Sequence, residues 1–355
     1  MSRVVVGLSG GVDSAVAALL LKRRGHEVIG VFMNNWEEVD ENGVCAAQDD
    51  WADVREICQR LDIPHYSVNF AREYEARVFT HFLSEYSKGR TPNPDVLCNR
   101  EIKFSAFLDF AMKLDADYMA TGHFVRRDEA GNLLRGADPD KDQSYFLYMT
   151  KAAQLKRALF PVGELHKAQV RQIAREAGIP VSEKKDSTGI CFIGERRFKR
   201  FLQQYLPAQP GDMVTEAGEV IGRHDGLMYY TIGQRRGLGI GGRGDGRSWF
   251  VADKDLEKNR LLLVQGEDHP KLFFTGAAIE QVTWINGAPF TGRTAQPIQV
   301  KLRYRQPDQE ASLRLDGETG ILRFEKPQRA VTPGQSAVFY QGDVCLGGGI
   351  VTSSL

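Results

Sequence analysis

The sequence predicts an α/β domain with a doubly wound, mostly parallel sheet at residues 1–206, a small β-rich domain at 207–272 and a C-terminal β-barrel at 273–355. Continuous apolar segments alternate with helix-periodic segments in the first part of the chain, as in a parallel sheet covered on both faces. Helical periodicity ends near Pro207, where hairpin-like segments begin. From Phe274 onward, segments of alternating polarity predict a barrel of about six strands.

The composition limits the class of protein. At 355 residues the chain is long enough for several domains. Its 46 Lys and Arg residues balance 46 Asp and Glu residues, so a site for a polyanion must be a local patch. No apolar segment approaches the roughly 18 residues of a membrane-spanning helix, so we expect a cytoplasmic protein with no membrane partner. The 5 cysteines lack CxxC spacing, which argues against a disulfide framework and a zinc ribbon, and we expect no protein-bound metal ion.

The elements of the first domain are predicted from periodicity and breaker residues. Strands are expected at 4–6, 26–34, 65–70 and 117–123, a hairpin at 126–135, and helices from 15, at 48–61, 71–86 and 101–114, from 141, at 169–177 and at 194–202. In such a sheet ligands bind beyond the carboxyl ends of the strands. Functional residues are therefore expected just after the strands.

The turn between the first strand and the first helix is the clearest candidate site. It has the sequence SGGVDS at 9–14. Its glycines leave backbone N–H groups open to a ligand, and the positive end of the next helix points at the same place, so the turn predicts a phosphate site. It has neither the lysine of a Walker loop nor the glycine spacing of a dinucleotide fingerprint. An ordinary βα turn is the alternative, and the flanking elements and the Asp-Ser pair disfavour it.

Further candidates follow the other strands. Met33 and Asn34 end the second strand, where the base of a nucleotide would lie if its phosphates bound at 9–14. The fourth strand ends in Thr-Gly-His, in which Gly122 permits close approach of an adenine or ribose. His123 is then placed to face a substrate, although a histidine satisfied inside the core is the commoner case.

Cys98 is a candidate nucleophile. It follows a stretch with two prolines and precedes the helix predicted at 101–114. A helix N-terminus, together with Arg100 and Lys103, would lower the pKa of this thiol. Burial as a small apolar side chain is the alternative, and it is the one we expect for Cys58.

Two other segments carry basic residues. Cys191 follows a pair of lysines in a polar, glycine-containing loop at 183–193. The stretch 223–247 holds eight glycines and five arginines against two aspartates. Such a segment is typical of a flexible arm that binds a phosphate backbone.

Four motifs together resemble the bacterial tRNA-specific 2-thiouridylases, a family of ATP pyrophosphatases. They are SGGVDS at 9–14, NPDVLCN at 93–99, KDQSYFL at 141–147 and STGICFIGER at 187–196. The resemblance runs essentially end to end, and the combination is far more specific than the first motif alone. It implies an adenine nucleotide alpha hydrolase-like fold for the first domain.

The resemblance also implies the reaction, an ATP-dependent 2-thiolation of the wobble uridine in tRNAs for Lys, Glu and Gln. O2 would be adenylated, sulfur would come from a cysteine persulfide, and AMP and pyrophosphate would be released. ATP, with Mg²⁺ as its counter-ion, is the implied cofactor. The implied partners are tRNA and a persulfide donor, either a cysteine desulfurase or a relay protein, and the family favours a monomer.

Site residues are implied by matching the motifs position by position. ATP would be held by Gly7, Leu8, Ser9, Gly10, Gly11, Val12, Asp13, Ser14, Met33 and Gly122. Cys98 would be the nucleophile, Cys191 the persulfide carrier and Asp95 the acid or base. The tRNA would be contacted by Asn93, Pro94, Asp95, His123, Asp142, Gln143, Ser144, Tyr304, Arg305 and Gln335, the first three at the target base.

Two other interpretations remain open. Another ATP pyrophosphatase, such as argininosuccinate synthetase or GMP synthetase, would form a C–N bond on a small molecule and has no use for Cys98, Cys191 or an arginine-rich arm. A non-catalytic RNA-binding protein with a degenerate nucleotide fold is the second. The intact turn at 9–14 argues against it.

Overall fold

The computed structural model describes residues 1–36, 46–185, 198–241, 244–290 and 294–355. In the first of the predicted domains the strands are β1 (Arg3–Leu8), β2 (Glu27–Asn34), β3 (His65–Asn69), β4 (Tyr118–Ala120), β5 (Val125–Arg127), β6 (Leu133–Arg135) and β7 (Ala158–Leu159). The helices there are α1 (Val12–Arg23), α2 (Ala46–Leu61), α3 (Ala71–Tyr74), α4 (Thr80–Ser87), α5 (Pro94–Leu97), α6 (Phe107–Lys113), α7 (Ala152–Leu155), α8 (Lys167–Glu176) and α9 (Phe198–Tyr205).

The first domain is built on a parallel sheet with the strand order β3-β2-β1-β4-β7. From β1 the chain fills one side of the sheet with β2 and β3, and later fills the other side with β4 and β7. Val4 and Val6 pack on the face covered by α1, whereas Val5 packs on the opposite face with Phe107 of α6. The predicted doubly wound sheet is confirmed, and its switch point lies between β1 and β4.

The helix after the proline-rich stretch begins earlier than predicted. Asn93 caps it by accepting a hydrogen bond from the Asp95 amide (3.2 Å), and Pro94 occupies its first turn. The π-helical segment Cys98–Ala106 then joins α5 to α6, so one continuous helix runs from 94 to 113. The prediction that this helix begins at residue 101 is wrong, because proline is favoured at the first position of a helix.

A second π-helical segment, Glu75–Phe79, joins α3 to α4 within the helix predicted at 71–86. The prediction of a helix that begins at residue 141 is wrong, because only the 3₁₀ turn Ser144–Phe146 forms there. The carboxylate of Asp142 accepts a hydrogen bond from the Ser144 amide (3.1 Å). Such a local bond competes with helix formation.

The central domain is a four-stranded sheet in the order β10-β11-β8-β9. Its strands are β8 (Gly211–Val214), β9 (Val220–His224), β10 (Trp249–Asp255) and β11 (Arg260–Gln265). β11 and β8 are parallel, and the other neighbours are antiparallel. The hairpin-like segments of the sequence are confirmed as strands.

The C-terminal strands close into an antiparallel barrel. They are β12 (Phe273–Trp284), β13 (Gln296–Lys301), β14 (Gln309–Asp316), β15 (Thr319–Arg329), β16 (Ser336–Gln341) and β17 (Val344–Ser354). The order is β12-β15-β14-β13-β16-β17, and pairing of β17 with β12 completes the barrel. The predicted barrel is confirmed, whereas the exact domain boundaries stay a prediction.

The hairpin predicted at 126–135 forms, but it extends the barrel sheet. Its second strand, β6, pairs with β17 by placing Leu134 opposite Val344 and Leu133 opposite Cys345. Two strands of the first domain therefore belong to the sheet of the third. Among the described residues, no helix combines the length and apolar character needed to cross a membrane.

Candidate functional site

The predicted phosphate turn lies at the carboxyl end of β1. Gly10 has φ +71°, and a Cβ there would lie 2.9 Å from the backbone oxygen of Asp50, so this position requires glycine. Gly11 is the extended N-cap of α1, and a Cβ there would meet only Ser9 Oγ, at 3.4 Å. Ser14 Oγ donates to the Gly11 carbonyl (3.1 Å) and accepts from the Ser9 amide (3.3 Å). Gly11 has no side chain with which to cap α1, so the positive end of this helix faces the turn, as an anion site requires.

Lys167 and Lys184, from later parts of the chain, lie beside this turn. Lys167, the first residue of α8, places Nζ 2.6 Å from Asp13 Oδ1. Lys184 donates to Asp50 (2.8 Å) and Asp53 (2.6 Å) on α2. Burial acts to lower the pKa of Lys184, but the hydrogen bonds to both aspartates outweigh it and raise the pKa. Neither lysine was predicted for this site. The sequence signal that could have indicated them is that the turn has no lysine of its own, so a cation from elsewhere in the chain is needed beside the phosphates.

Gly7, Met33 and Gly122 lie at or just after the carboxyl ends of β1, β2 and β4. A Cβ on Gly7 would lie 3.0 Å from Met33 Cε, which places the end of β2 directly against β1. A Cβ on Gly122 would lie 2.6 Å from the Ser14 amide nitrogen and 2.7 Å from the Asp13 carbonyl carbon. The turn after β4 therefore packs on the start of α1, and glycine is required there by the protein backbone.

Leu8 and Val12, which the resemblance assigns to ATP, have buried side chains. Leu8 belongs to β1 and Val12 is the first residue of α1, and both pack in the core between the sheet and α1. These residues are placed to meet a nucleotide through their backbone only.

His123 is buried at the end of β4. Its Nδ1 lies 2.7 Å from Thr121 Oγ1, and its ring centroid lies 5.9 Å from that of Phe104. Burial, with a smaller effect of the Lys103 charge, holds the pKa of His123 well below its usual value. The imidazole is therefore neutral at physiological pH and fixed in orientation by the threonine.

Asp95 and Cys98 lie on the helix that starts at Pro94. Asp95 is half-buried, and burial raises the pKa of its carboxyl above the usual value although the charge of Lys103 opposes this. Cys98 is 1% exposed and follows the four residues of α5. The prediction that Cys98 lies at a helix N-terminus is therefore wrong, because the helix starts one turn earlier.

The remaining cysteines separate into two groups. Cys58 is buried, and burial raises the pKa of its thiol to about 12, which confirms the prediction of a core residue. Cys345 is buried in the barrel, and burial raises its pKa as well. Cys45 and Cys191 lie outside the described residues, so the sulfur carrier implied by the resemblance stays a prediction.

Asp142 and Ser144, which the resemblance assigns to tRNA contact, are buried between the first domain and the barrel. Asp142 Oδ1 accepts from the Gly136 amide at 3.1 Å, and Asp142 Oδ2 lies 3.7 Å from Arg135. Ser144 Oγ lies 3.0 Å from Asp142 Oδ2 and 3.1 Å from Tyr340 Oη on β16. In this structure both side chains join protein elements to one another.

Three other predicted contact residues have different surroundings. Gln143 Oε1 accepts from the Phe124 amide (2.9 Å). Tyr304 is half-buried with its ring 4.6 Å from that of Phe146, and burial raises the pKa of its hydroxyl to about 12. Arg305 is exposed. Of these three residues, only Arg305 is exposed, and the role of all three in tRNA binding stays a prediction.

Gln335 contacts the segment that leads into the Cys98 helix. Its Nε2 donates to the Thr91 carbonyl (2.7 Å), two residues before Asn93. Asn93 is half-buried and caps the helix, and Pro94 is buried. The structure thus connects a predicted tRNA contact on the barrel to the predicted target-base segment.

Comparison with family models places the chain in a class. Residues 2–195 match the model described as a tRNA methyl transferase HUP domain. Residues 199–265 match a tRNA methyl transferase PRC-barrel domain, and residues 274–351 match an aminomethyltransferase beta-barrel domain. The fold and the turn after β1 therefore define a HUP-domain protein with two appended β domains.

Individual relatives match over nearly the whole chain. The tRNA-specific 2-thiouridylase MnmA of Alkaliphilus oremlandii is 56% identical over 358 residues, which cover 100% of this chain and 98% of the relative. MnmA 1 of Geobacillus kaustophilus is 58% identical over 353 residues, covering 98% and 95%. MnmA of Pseudomonas putida is 56% identical over 359 residues, covering 99% and 95%. The chain belongs to the family of tRNA-specific 2-thiouridylases.

Proposed function

We propose that this protein is a tRNA-uridine 2-sulfurtransferase that uses ATP to replace O2 of the wobble uridine with sulfur in tRNAs for Lys, Glu and Gln. The observation that carries the proposal is the packing of the helix that contains Cys98 against the ends of two central strands, next to the phosphate turn. A Cβ on Gly7 of β1 would lie 3.2 Å from the Phe107 ring, and the Phe104 ring lies beside His123, which follows β4. A nucleotide bound at the turn would therefore lie on the same side of the sheet as this helix.

The reaction requires activation because uracil O2 is a poor leaving group. In the proposed first step ATP adenylates O2 and pyrophosphate leaves. The amides at Gly10 and Gly11 are placed to hold the phosphates, with Lys167 and Lys184 as the nearby cations. Mg²⁺ would enter with the triphosphate, and the carboxylate of Asp13 is the kind of ligand that it prefers.

Asp95 is the proposed acid or base. Burial raises its pKa, so it holds a proton at a higher pH than an exposed aspartate does, which is the direction that an acid or base in catalysis needs. We propose that Asn93, Pro94 and Asp95 meet the target base, which must leave the anticodon stack to reach them. Neutral His123, whose ring lies beside Phe104 of the same helix, is proposed as a further hydrogen-bond donor or acceptor.

Sulfur transfer follows. The terminal sulfur of a persulfide on Cys191 forms a bond to C2 as the C2–O2 bond breaks and AMP leaves. The Cys98 thiolate then attacks Cys191 Sγ, the sulfur–sulfur bond to the base breaks, and thiouridine leaves with a Cys98–Cys191 disulfide behind it. A dithiol reductant must return the disulfide to thiols before the next turnover. In the alternative order Cys98 first releases hydrosulfide, which then attacks C2.

The partners of the reaction are proposed on the same basis. The tRNA would lie across Tyr304 and Arg305 and the arginine-rich stretch at 223–247. Asp142, Gln143, Ser144 and Gln335 would support this surface. A cysteine desulfurase or relay protein would load Cys191. We expect the protein to act as a monomer in the cytoplasm.

Pyrophosphate release tests the proposal against its alternatives. The purified protein is incubated with ATP and either unmodified tRNA or small amino and nucleotide acceptors. Release that depends on tRNA is expected. Release with a small acceptor alone would favour C–N bond synthesis, tRNA binding without release would favour a binding protein, and tRNA methylation without release would favour the methyl transfer in the family-model descriptions.

A further inference from the structure

The segment 89–91, which leads into the helix of Cys98, is held by the barrel. The Thr91 amide donates to the Pro333 carbonyl (2.9 Å), and the Thr91 carbonyl accepts from Gln335 Nε2 (2.7 Å). Both backbone polar groups of Thr91 are thus bonded to the segment just before β16. The approach is close, because a Cβ on the intervening Gly334 would lie 2.8 Å from the Thr91 nitrogen.

The central domain holds the same segment from another side. Thr91 Oγ1 lies 3.3 Å from Thr231 Oγ1. Lys254 Nζ on β10 donates to the Gly89 carbonyl (2.8 Å), and a Cβ on Gly89 would lie 2.7 Å from Leu256 Cδ2. A short piece of the first domain is therefore bonded to both β-rich domains.

Thr231 also anchors the turn that carries Arg235 and Arg236. Gln234 Oε1 accepts from the Thr231 amide (3.0 Å), and Gln234 Nε2 donates to the Arg236 carbonyl (3.0 Å). Both arginines are exposed, as a contact with RNA phosphate needs. One glutamine side chain thus connects the candidate RNA-binding arginines to the residue that touches Thr91.

The connection from Thr91 to the reaction site is short and stiff. Only Pro92 separates Thr91 from Asn93, and Pro92 is buried with its φ fixed by the ring. Asn93 in turn caps the helix by accepting from the Asp95 amide. Few backbone torsions between Thr91 and the helix are free to rotate. A displacement of Thr91 should therefore move the start of the helix.

We propose that the contacts of Thr91 with Thr231, Pro333 and Gln335, here called the Thr91 clasp, make the position of Cys98 depend on RNA docked on the two β-rich domains. Thr91 and its partners are positioning residues, since they act through the helix and not on the substrate. The inference rests on the proposed function in that RNA must be the substrate. The positioning role differs from a direct contact of Gln335 with tRNA, because the side-chain amide of Gln335 is already bonded to Thr91.

Steady-state kinetics separate these roles. Thr231→Val removes the hydroxyl at nearly constant volume, and loss of one neutral hydrogen bond predicts a kcat about three- to tenfold lower, with KM for tRNA unchanged. Thr231→Ser keeps the hydroxyl and should restore kcat. Gln335→Leu should also lower kcat without changing KM for tRNA. Because both side chains act through Thr91, kcat of the Thr231→Val, Gln335→Leu double variant should be no lower than that of the more affected single variant. Thr352→Val, which removes a hydroxyl bonded to Ala278 inside the barrel, is the matched control.

The coupling itself is measured without turnover. Alkylation of Cys98 by iodoacetamide is followed by peptide mass spectrometry with and without unmodified tRNA, in the absence of ATP. Bound tRNA should change the alkylation rate in the wild type and Thr231→Ser, and should change it clearly less in Thr231→Val although filter binding shows tRNA bound.

Each other outcome overturns something specific. An unchanged rate in the wild type with tRNA bound, or a change in Thr231→Val as large as in the wild type, overturns the coupling. A raised KM with normal kcat overturns it in favour of direct RNA contact by Thr231 and Gln335. Failure of the wild type to bind tRNA would overturn the proposed function instead.

Discussion

Lys167 Nζ lies 2.6 Å from Asp13 Oδ1, so the phosphate turn of the N-terminal strand is joined to a lysine 154 residues later in the chain. The lysine side chain is only 11% exposed. A Walker loop carries its lysine within the loop itself. Here a cation from α8 takes the corresponding place beside the turn.

Lys167→Met is expected to impair the use of ATP. A hydrogen bond to a charged group contributes about 1.5–3 kcal/mol, so kcat/KM for ATP should fall about ten- to hundredfold. The measurement is pyrophosphate release against ATP concentration with tRNA saturating. Lys258→Met, which removes an exposed lysine 3.8 Å from Asp255, is the control. Normal ATP kinetics in Lys167→Met would show that the lysine serves only to pair Asp13.

The two glycines of the turn should respond differently to valine. Gly11→Val should fold normally, because a Cβ there meets only Ser9 Oγ at 3.4 Å, but it should abolish adenylation by filling the phosphate site. Gly10→Val should lower the free energy of unfolding by about 1–3 kcal/mol, because φ is +71° and Asp50 is in the way. Denaturant unfolding and pyrophosphate release together check both. Near-normal release by Gly11→Val would remove the phosphate assignment of the turn.

The sulfur atom should follow one route through the cysteines. Cys98→Ser should still accept sulfur on Cys191 but form no thiouridine, whereas Cys191→Ser should accept none. Cys58 and Cys345 should be dispensable, because burial raises the pKa of both thiols and keeps them unreactive. Each variant is loaded with labelled sulfur and mapped by peptide mass spectrometry. Label on Cys345, or thiolation without Cys191, would contradict the two-cysteine mechanism.

Asp95→Asn should remove activity and raise stability at neutral pH. Burial raises the pKa of Asp95 above its ordinary value of 3.8, so the folded protein holds this proton more tightly than the unfolded chain. Stability then falls as the pH rises from the ordinary to the raised pKa, and the penalty stays at higher pH. The gain from asparagine should therefore be present at neutral pH and vanish in acid below the ordinary pKa. Urea unfolding across that pH range checks this, with exposed Asp109→Asn on α6 as control, and equal stability of Asp95→Asn and wild type at neutral pH would contradict it.

Local patterns predicted the elements that depend on local chemistry. The buried strands β1 and β2 are continuous apolar segments, and the barrel strands alternate between apolar and polar residues. Their burial can therefore be predicted from consecutive residues. The turn at 9–14 was found because two adjacent glycines leave the backbone open to a ligand, and Gly10 also adopts a positive φ that other residues avoid.

Contacts between distant parts of the chain were not predictable in this way. Neither Lys167 nor the pairing of β6 with β17 has a local signature, because each depends on how whole elements pack. The helix start at Pro94 was missed for a different reason, since proline both interrupts helices and begins them. Asp142 and Ser144 are buried because the first domain packs against the barrel. The sequence of either domain alone does not show that contact.

The central claim is tested most directly by the nucleosides of tRNA from a strain that lacks this gene. The wobble positions of tRNAs for Lys, Glu and Gln are analysed by mass spectrometry in the deletion strain, and again after complementation with the wild-type gene or with Cys98→Ser. The account predicts that 2-thiolation at the wobble uridine disappears on deletion, returns with the wild-type gene and stays absent with Cys98→Ser. Wobble uridine that is still 2-thiolated in the deletion strain would contradict the account.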